Sequence, residues 1–321
     1  MLTSDQNRKI NEIVEEFKEA ADFYRMEYSE DLMGMFRDFG CMLLLKCKVD
    51  TEGKADLERL LEGRHKLKGT VKRQLMTVSE ELAQLWEPGE QDGSGDTGEY
   101  EGSQNVREMF QTALEEIFHF CLYSKGGKNR YLLPEETAKP LLRLLTFPEG
   151  MMAGNEGLVV LDTQCGAGSA LMAASRYLKN LRLMGYEKDE EMWAAAVIMS
   201  QLSGLEMELH LEDGARADLY ESCDLVISNP VYGTDTIKDE ELIDQLPGEL
   251  KTVRGRYHME LIRSMQALNF DGKAMLIVPN SFLFANRTES MKVRKWLLQS
   301  YSLEAIISLP EDTFMYSGVR S

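Results

Sequence analysis

Cys223-Asp224-Leu225-Val226-Ile227-Ser228-Asn229-Pro230-Val231-Tyr232 is the stretch whose reading decides the fold. Its first half is apolar and partly β-branched, the pattern of a short buried strand, and its second half is made of turn formers. Such a strand delivers an amide, a proline and an aromatic ring to its carboxyl end. In open α/β sheets that edge is where ligands sit. The Asn229 side-chain oxygen and the Pro230 carbonyl are two hydrogen-bond acceptors, and Tyr232 offers a flat face. Together they suit an exocyclic amino group on a planar base. The plainer alternative is turn punctuation, since Asn-Pro is a common turn dipeptide.

The segments before this stretch repeat its logic. Gly157-Leu-Val-Val-Leu-Asp162 reads as a buried strand that runs into Thr163-Gln164-Cys165-Gly166-Ala167-Gly168 and then a helix over Ser169–Leu178. Glycines there let the backbone approach a ligand, and the helix start exposes amide groups. Leu181–Glu187 is a second strand ending in an acid, the position that commonly bonds ribose hydroxyls. Met207–Leu211 is a third, followed by Asp213-Gly214. Asp162, Glu187 and Asp213 therefore line one edge and suit an adenosine that carries a cationic or zwitterionic group. A dinucleotide fold shares the glycine loop and the ribose acid, but Gly166-Ala-Gly168-Ser-Ala-Leu171 lacks the third glycine of that fingerprint. Each acid could also be a solvated strand-end cap.

Strands are further expected at Ala274–Val278 and Leu303–Leu309, with helices over Asp189–Leu202, Tyr257–Leu268 and Thr288–Gln299. Alternating β and α units imply a doubly wound, mostly parallel α/β sheet. Pro134-Glu135-Glu136 opens a helix just ahead of it. The N-terminal third is different. Helical spacing runs over 3–28, 29–48 and about 54–86, where Gly63 and Gly69 leave open whether the last helix is split, and again over 105–123. The Gly-rich acidic stretch 87–104 has little to bury and reads as a flexible loop. The expectation is a helical domain over 1–125 and a sheet domain over 126–321.

The 321 residues carry a formal net charge of −18 at pH 7, which opposes a stand-alone nucleic-acid binder because phosphate contacts need clustered Lys and Arg. The basic surface is then local, or a partner supplies it. The five cysteines are scattered without a CxxC pair, which points to reduced thiols in a cytoplasm rather than a disulfide framework. The four histidines form no metal-ligand spacing.

The order strand–Asp-x-x-Cys-Gly-x-Gly, strand–Gly-x-Glu, strand–Asp, strand–Asn-Pro-x-Tyr resembles the S-adenosylmethionine-dependent amino-methyltransferases. More narrowly, it resembles the adenine-specific DNA methyltransferases that form the modification subunit of type I restriction-modification systems. Tyr131-Leu-Leu-Pro134 resembles that family's Phe-Thr-Pro segment, Ala274-Met-Leu-Ile-Val-Pro279-Asn-Ser-Phe-Leu283 its Val-Leu-Pro strand, and Leu309-Pro310-Glu-Asp-Thr-Phe314-Met-Tyr-Ser-Gly318-Val its Leu-Pro-x-x-x-Phe-x-x-Thr-Gly-Val block.

The resemblance implies a class I, Rossmann-like methyltransferase domain that is shortened at its C-terminus. It implies S-adenosylmethionine held by Leu133, Pro134, Asp162, Cys165, Gly166, Gly168, Glu187, Asp213 and Gly214. Catalysis falls to Asn229, Pro230 and Tyr232 on an adenine of DNA, with a separate specificity subunit and a restriction or translocase subunit as partners, and no metal or membrane. Val231, Thr163 and Leu133 depart from the family's usual Pro, Pro and Thr. The competing expectations are methylation of another amino or amide nitrogen, on RNA or a protein glutamine, and a non-catalytic subunit that binds cofactor or a partner.

Overall fold

The computed structural model describes residues 2–29, 31–49, 55–62, 67, 69–86, 101–124, 132–145, 157–219, 223–230, 236–286, 288–310 and 313. The chain divides into two compact units. One comprises residues 1–128 with 197–205, the other 129–196 with 206–321.

The first unit is built on α1 (Ser4–Glu27), α2 (Met33–Lys46), α3 (Ala55–Glu62), α4 (Gly69–Ala83) and α5 (Glu101–Leu122). A capping box starts α1: Thr3 Oγ1 accepts from Gln6 N–H, and Gln6 Oε1 accepts from Thr3 N–H. The apolar stripe read from the sequence, Ile10, Ile13, Val14, Phe17, Ala21 and Tyr24, is buried. Phe17 meets Phe39 of α2 edge to face, with ring centroids 5.0 Å apart. Gly69 opens α4 at φ +63°, and the helical spacing over 54–86, whose splitting the glycines left open, falls into two helices. Helix α5 begins at Glu101, inside the stretch expected to be a loop, and residues 87–100 lie outside the described set.

The second unit is a five-stranded sheet of β1 (Leu158–Asp162), β2 (Leu181–Glu187), β3 (Met207–Leu211), β4 (Cys223–Ser228) and β5 (Leu268–Leu276), in the order β3-β2-β1-β4-β5 with every pair parallel. Helix α6 (Glu135–Leu144) precedes it, with Pro134 as the cap residue. Helix α7 (Ser169–Tyr177) connects β1 to β2, and α8 (Glu190–Ser203) connects β2 to β3. After β4 come a short α9 (Glu240–Asp244), a 3₁₀ turn at Gly248–Leu250 and α10 (Arg256–Gln266), which leads into β5; α11 (Asn280–Phe284) and α12 (Thr288–Ser300) follow. The path β1→β2→β3 moves one way across the sheet and β4→β5 the other. Right-handed crossovers therefore place α7 and α8 on one face and α10 on the opposite face. The core against α10 contains Leu161, Val226, Leu261, Ile262, Met265 and Trp296. Asp224 ties three strands at their amino ends, accepting from Val159 N–H at 3.0 Å and from Asn269 Nδ2 at 2.9 Å.

Two expectations are corrected. Strand β5 starts at Leu268 rather than Ala274, because its partner register jumps from Cys223↔Leu268 to Leu225↔Lys273. Asn269-Phe270-Asp271-Gly272 thus bulges, leaving Phe270 98% exposed. The sixth strand expected over Leu303–Leu309 does not form, and Leu303 and Ile306 are 59% and 66% exposed. An apolar extended segment becomes a strand only beside a partner that takes its backbone groups. Here the described tie to β5 is a side-chain pair, Lys273 with Glu304.

Candidate active site

Strand order reverses between β1 and β4, so their carboxyl ends flank the switch-point crevice where ligands of open α/β sheets bind. The register Leu161↔Val226 brings the glycine loop after Asp162 alongside Ser228-Asn229-Pro230. The two halves of the expected site, read 60 residues apart in sequence, are thus neighbours on one edge. Asn229 is half-buried and Pro230 buried. No described residue exchanges a hydrogen bond with the Asn229 side chain. Val231 and Tyr232 lie outside the described residues.

The loop's shape follows from its glycines. Gly166 stands at φ +56° and Gly168 at φ +79°, in the left-handed region that costs a side-chain-bearing residue strain. Gly168 N–H donates to the Cys165 carbonyl at 2.8 Å and caps α7. Gly166 N–H donates to Glu187 Oε2 at 3.0 Å, while Glu187 Oε1 accepts from Asp189 N–H at 2.7 Å. The second-strand acid therefore holds the loop. Cys165 N–H donates to the Tyr186 carbonyl at 2.9 Å, and its thiol fills the space at Gly185, where a Cβ would lie 2.8 Å from the sulfur.

Leu133 and Pro134 are drawn to the same place. Leu133 N–H donates to Ser169 Oγ at 3.2 Å, on the first residue of α7. Two residues later Glu135 pairs with Arg176, and Tyr177 Oη donates to Glu135 Oε1 at 2.6 Å. Asp213 and Gly214 close the other side. Gly214 packs so tightly on the Thr163 carbonyl that a Cβ there would overlap its oxygen. Thr163, in the place of the family's proline, shares a hydrogen bond with Ser264 of α10 at 2.6 Å and accepts one from Gln164 Nε2 at 2.6 Å. A hydroxyl contact thus anchors the loop where a rigid ring is usual.

Electrostatics differ among the three acids. Burial pushes the Asp162 carboxyl up to about 7, against the lowering effect of the Gln164 N–H bond and with further raising by Glu187. Burial also raises Glu187, countered by its amide donors. Asp213 goes the other way: burial raises it, but the Arg256 guanidinium outweighs that and holds it below the usual carboxylate range.

The Asp162 shift has a sign that unfolding can check. Below pH about 4 the carboxyl is protonated in both folded and unfolded chains and contributes nothing. From there to pH 7 the unfolded chain ionises while the fold retains the proton, so stability falls as pH rises and levels off above about 7. Glu260, buried and raised to about 7, adds to the same trend. Urea unfolding of the wild type at pH 5 and pH 8 should differ on the order of a few kcal/mol, and Asp162→Asn should flatten part of that slope.

Arg256, Glu260 and Ser264 carry no recognisable site motif, and sequence reading passes over them. The available signal is the i, i+4, i+8 spacing of Arg256, Glu260 and Ser264, which sets three polar groups on one stripe of the helix.

The family described as N-6 DNA Methylase matches residues 107–321. Among curated relatives, the type I restriction enzyme MjaVII methylase subunit of Methanocaldococcus jannaschii is 24% identical over 284 residues, covering 81% of this chain and 44% of that protein. The type II restriction enzyme and methyltransferase RM.BcgI of Heyndrickxia coagulans is 27% identical over 185 residues, covering 52% of this chain and 27% of that protein. The chain therefore spans less than half the length of either relative. Among solved structures, a Listeria monocytogenes protein assigned to the class I S-adenosylmethionine-dependent methyltransferases superposes with a TM-score of 0.66 at 18% identity, covering 98% of this chain and 86% of that one. The methyltransferase subunit of a Streptococcus thermophilus type I restriction-modification system gives 0.60 at 16%, covering 97% and 83%. The fold is that of the class I methyltransferases.

Proposed function

The chain belongs to the N-6 DNA Methylase family, and from that premise we propose that it transfers a methyl group from S-adenosylmethionine to the exocyclic amino group of adenine in DNA. The observation that carries this reading is the juxtaposition across the β1/β4 switch point of a glycine loop and an asparagine–proline pair. The pocket residues fit the cofactor by chemistry. Gly166 and Gly168 leave the loop open to close approach, and acceptors at three successive strand ends match an ammonium, a ribose diol and an aromatic amine. Leu133, Pro134, Asp162, Cys165, Gly166 and Gly168 would hold the methionine end, Glu187 the ribose, and Asp213 with Gly214 the adenine.

When bound, the cofactor supplies an electrophilic methyl on a sulfonium. The chain's own task is to make a poor nucleophile competent, because the lone pair of adenine's amino nitrogen is delocalised into the ring. Asn229 Oδ1 accepts one amino proton and the Pro230 carbonyl the other, which favours tetrahedral nitrogen and frees the lone pair. Tyr232 stacks on the extruded base, a contact worth about 1–3 kcal/mol. Positioning and polarisation account for the rate.

A separate specificity subunit suits the charge of −18, since base readout and much of the phosphate contact would then come in trans. A restriction or translocase subunit is a further expected partner. A cytoplasmic setting accords with five cysteines, none of which is in a disulfide. Incubation with radiolabelled S-adenosylmethionine and duplex DNA, with RNA and protein extract as parallel arms, tests the assignment. Label on N6-methyladenine of DNA is the expected result, with the specificity subunit added if the chain alone is silent. Label confined to RNA or protein would replace the substrate.

A further inference from the structure

We infer that Arg256 is a positioning residue of the cofactor pocket, setting Asp213 so that one oxygen lone pair is left for the amino group of the cofactor's adenine. This rests on the cofactor reading above and names a residue that reading does not contain.

The geometry accounts for each acceptor site on Asp213. Oδ1 takes Ala215 N–H at 3.2 Å and Arg256 Nη1 at 3.3 Å, so both its lone pairs are engaged. Oδ2 takes Arg256 Nη2 at 2.9 Å; Arg216 Nε stands at 3.9 Å, close enough to attract but too far to donate. Among the described residues, one lone pair on Oδ2 has no donor. The fork of Arg256 fixes the carboxylate plane, which a point charge could not do. Arg256 is itself held, because Nη1 also donates to Glu260 Oε1 at 3.1 Å, one turn further along α10. Glu260 is 3% exposed. The backbone beneath Asp213 is fixed independently, since Gly214 is pressed against the Thr163 carbonyl of the glycine loop. Side chain and main chain are thus located by two unrelated contacts, both referred to elements that line the same crevice.

Removing the guanidinium changes more than orientation. Asp213 and Glu260 would face one another inside the fold with Lys188, and Arg216 at 3.9 Å from Asp213, as the remaining positive influences. Burial and like charge favour protonation of such a pair. A protonated Asp213 can donate as well as accept. It would then take hypoxanthine, which presents an oxygen where adenine has its amino group, about as readily as adenine. Ionised Asp213 rejects that oxygen.

The test is calorimetric and needs no turnover. Wild type, Arg256→Met and Arg256→Lys are titrated with S-adenosylhomocysteine and S-inosylhomocysteine at pH 7 and pH 9. The wild type should prefer the adenosyl ligand by at least about 100-fold at both pH values, as expected of a site that hydrogen-bonds an amine. Arg256→Met should bind the adenosyl ligand more than about tenfold more weakly and lose most of the preference at pH 7, with recovery at pH 9 as Asp213 ionises. Arg256→Lys should keep the preference at reduced affinity. Should Arg256→Met fail to fold, Arg256→Gln carries the same comparison. A neutral variant that retains the full preference at pH 7 overturns the assignment, whatever its thermal stability. A wild type that binds neither ligand overturns the cofactor reading itself, and the wild-type titration alone tells the two failures apart.

Discussion

Asn229→Ala is expected to lower methyl transfer to adenine DNA by at least about 10³-fold while leaving the affinity for S-adenosylhomocysteine within about threefold of wild type. The split follows from where the residue sits. Asn229 directly follows β4, on the far side of the switch point from the loop after β1, and no described residue depends on its side chain for a hydrogen bond. Truncation therefore removes an acceptor from the substrate side without unmaking a protein contact. In this half-buried position the lost acceptor matters most when positive charge develops on the attacking nitrogen, because that is when polarisation of the N–H bond is strongest. The effect should fall on kcat, with cofactor binding by calorimetry serving as the control for folding. Asn229→Asp separates shape from charge: it keeps an acceptor of the same size and should retain more activity than alanine. If alanine turns over at the wild-type rate, another group polarises the amine and the catalytic role assigned to Asn229 is wrong.

How much of this was legible beforehand depends on whether a feature is local. Strands β1 and β4 could be read because parallel strands covered on both faces are short continuous apolar runs, and β2 and β3 because apolar residues recur along them at strand spacing. Leu303-Glu-Ala-Ile-Ile-Ser-Leu309 has a comparable composition, yet a strand also requires a neighbour, and composition does not report one. The first half of β5 went unread for another reason: Asn269-Phe-Asp-Gly272 has no strand pattern, but the ladder absorbs it as a bulge. The acids at the strand ends were legible for the same local reason as the strands themselves. Their states were not. Asp162 and Asp213 look equivalent in sequence, but one is raised by burial and the other lowered by an arginine 43 residues away. Thr163 likewise reads as a departure from a proline, whereas its hydroxyl bonds to Ser264, a partner 101 residues on that no spacing rule could supply.

Gly214→Ala is the substitution with the largest expected effect on the fold around the pocket. A methyl at this position would overlap the Thr163 carbonyl oxygen and come within 2.9 Å of Tyr186 Cβ and 3.0 Å of Thr163 C. The obstructing atoms are backbone or the stem of a buried side chain, so no rotamer change relieves the clash. Either the turn after β3 or the loop after β1 must move. Movement of the first displaces Asp213 from Arg256 and draws on the Arg263 bonds to the Ala215 and Ala217 carbonyls, at 3.0 and 2.8 Å. Movement of the second disturbs Gly166 and its bond to Glu187. Overpacking of this kind typically costs about 1–3 kcal/mol, and displacement of a buried ion pair can add to it. The expected result is a measurable fall in urea midpoint together with a loss of S-adenosylhomocysteine affinity of more than about 100-fold, larger than stability alone would bring about in the surviving folded fraction. Gly248→Ala, at a glycine with nothing within 4 Å of the added methyl, is the matched control and should change neither. A Gly214→Ala protein that binds the ligand as tightly as wild type would mean that the contact between the β3 turn and the glycine loop yields without cost, and that the crevice is not shaped by it.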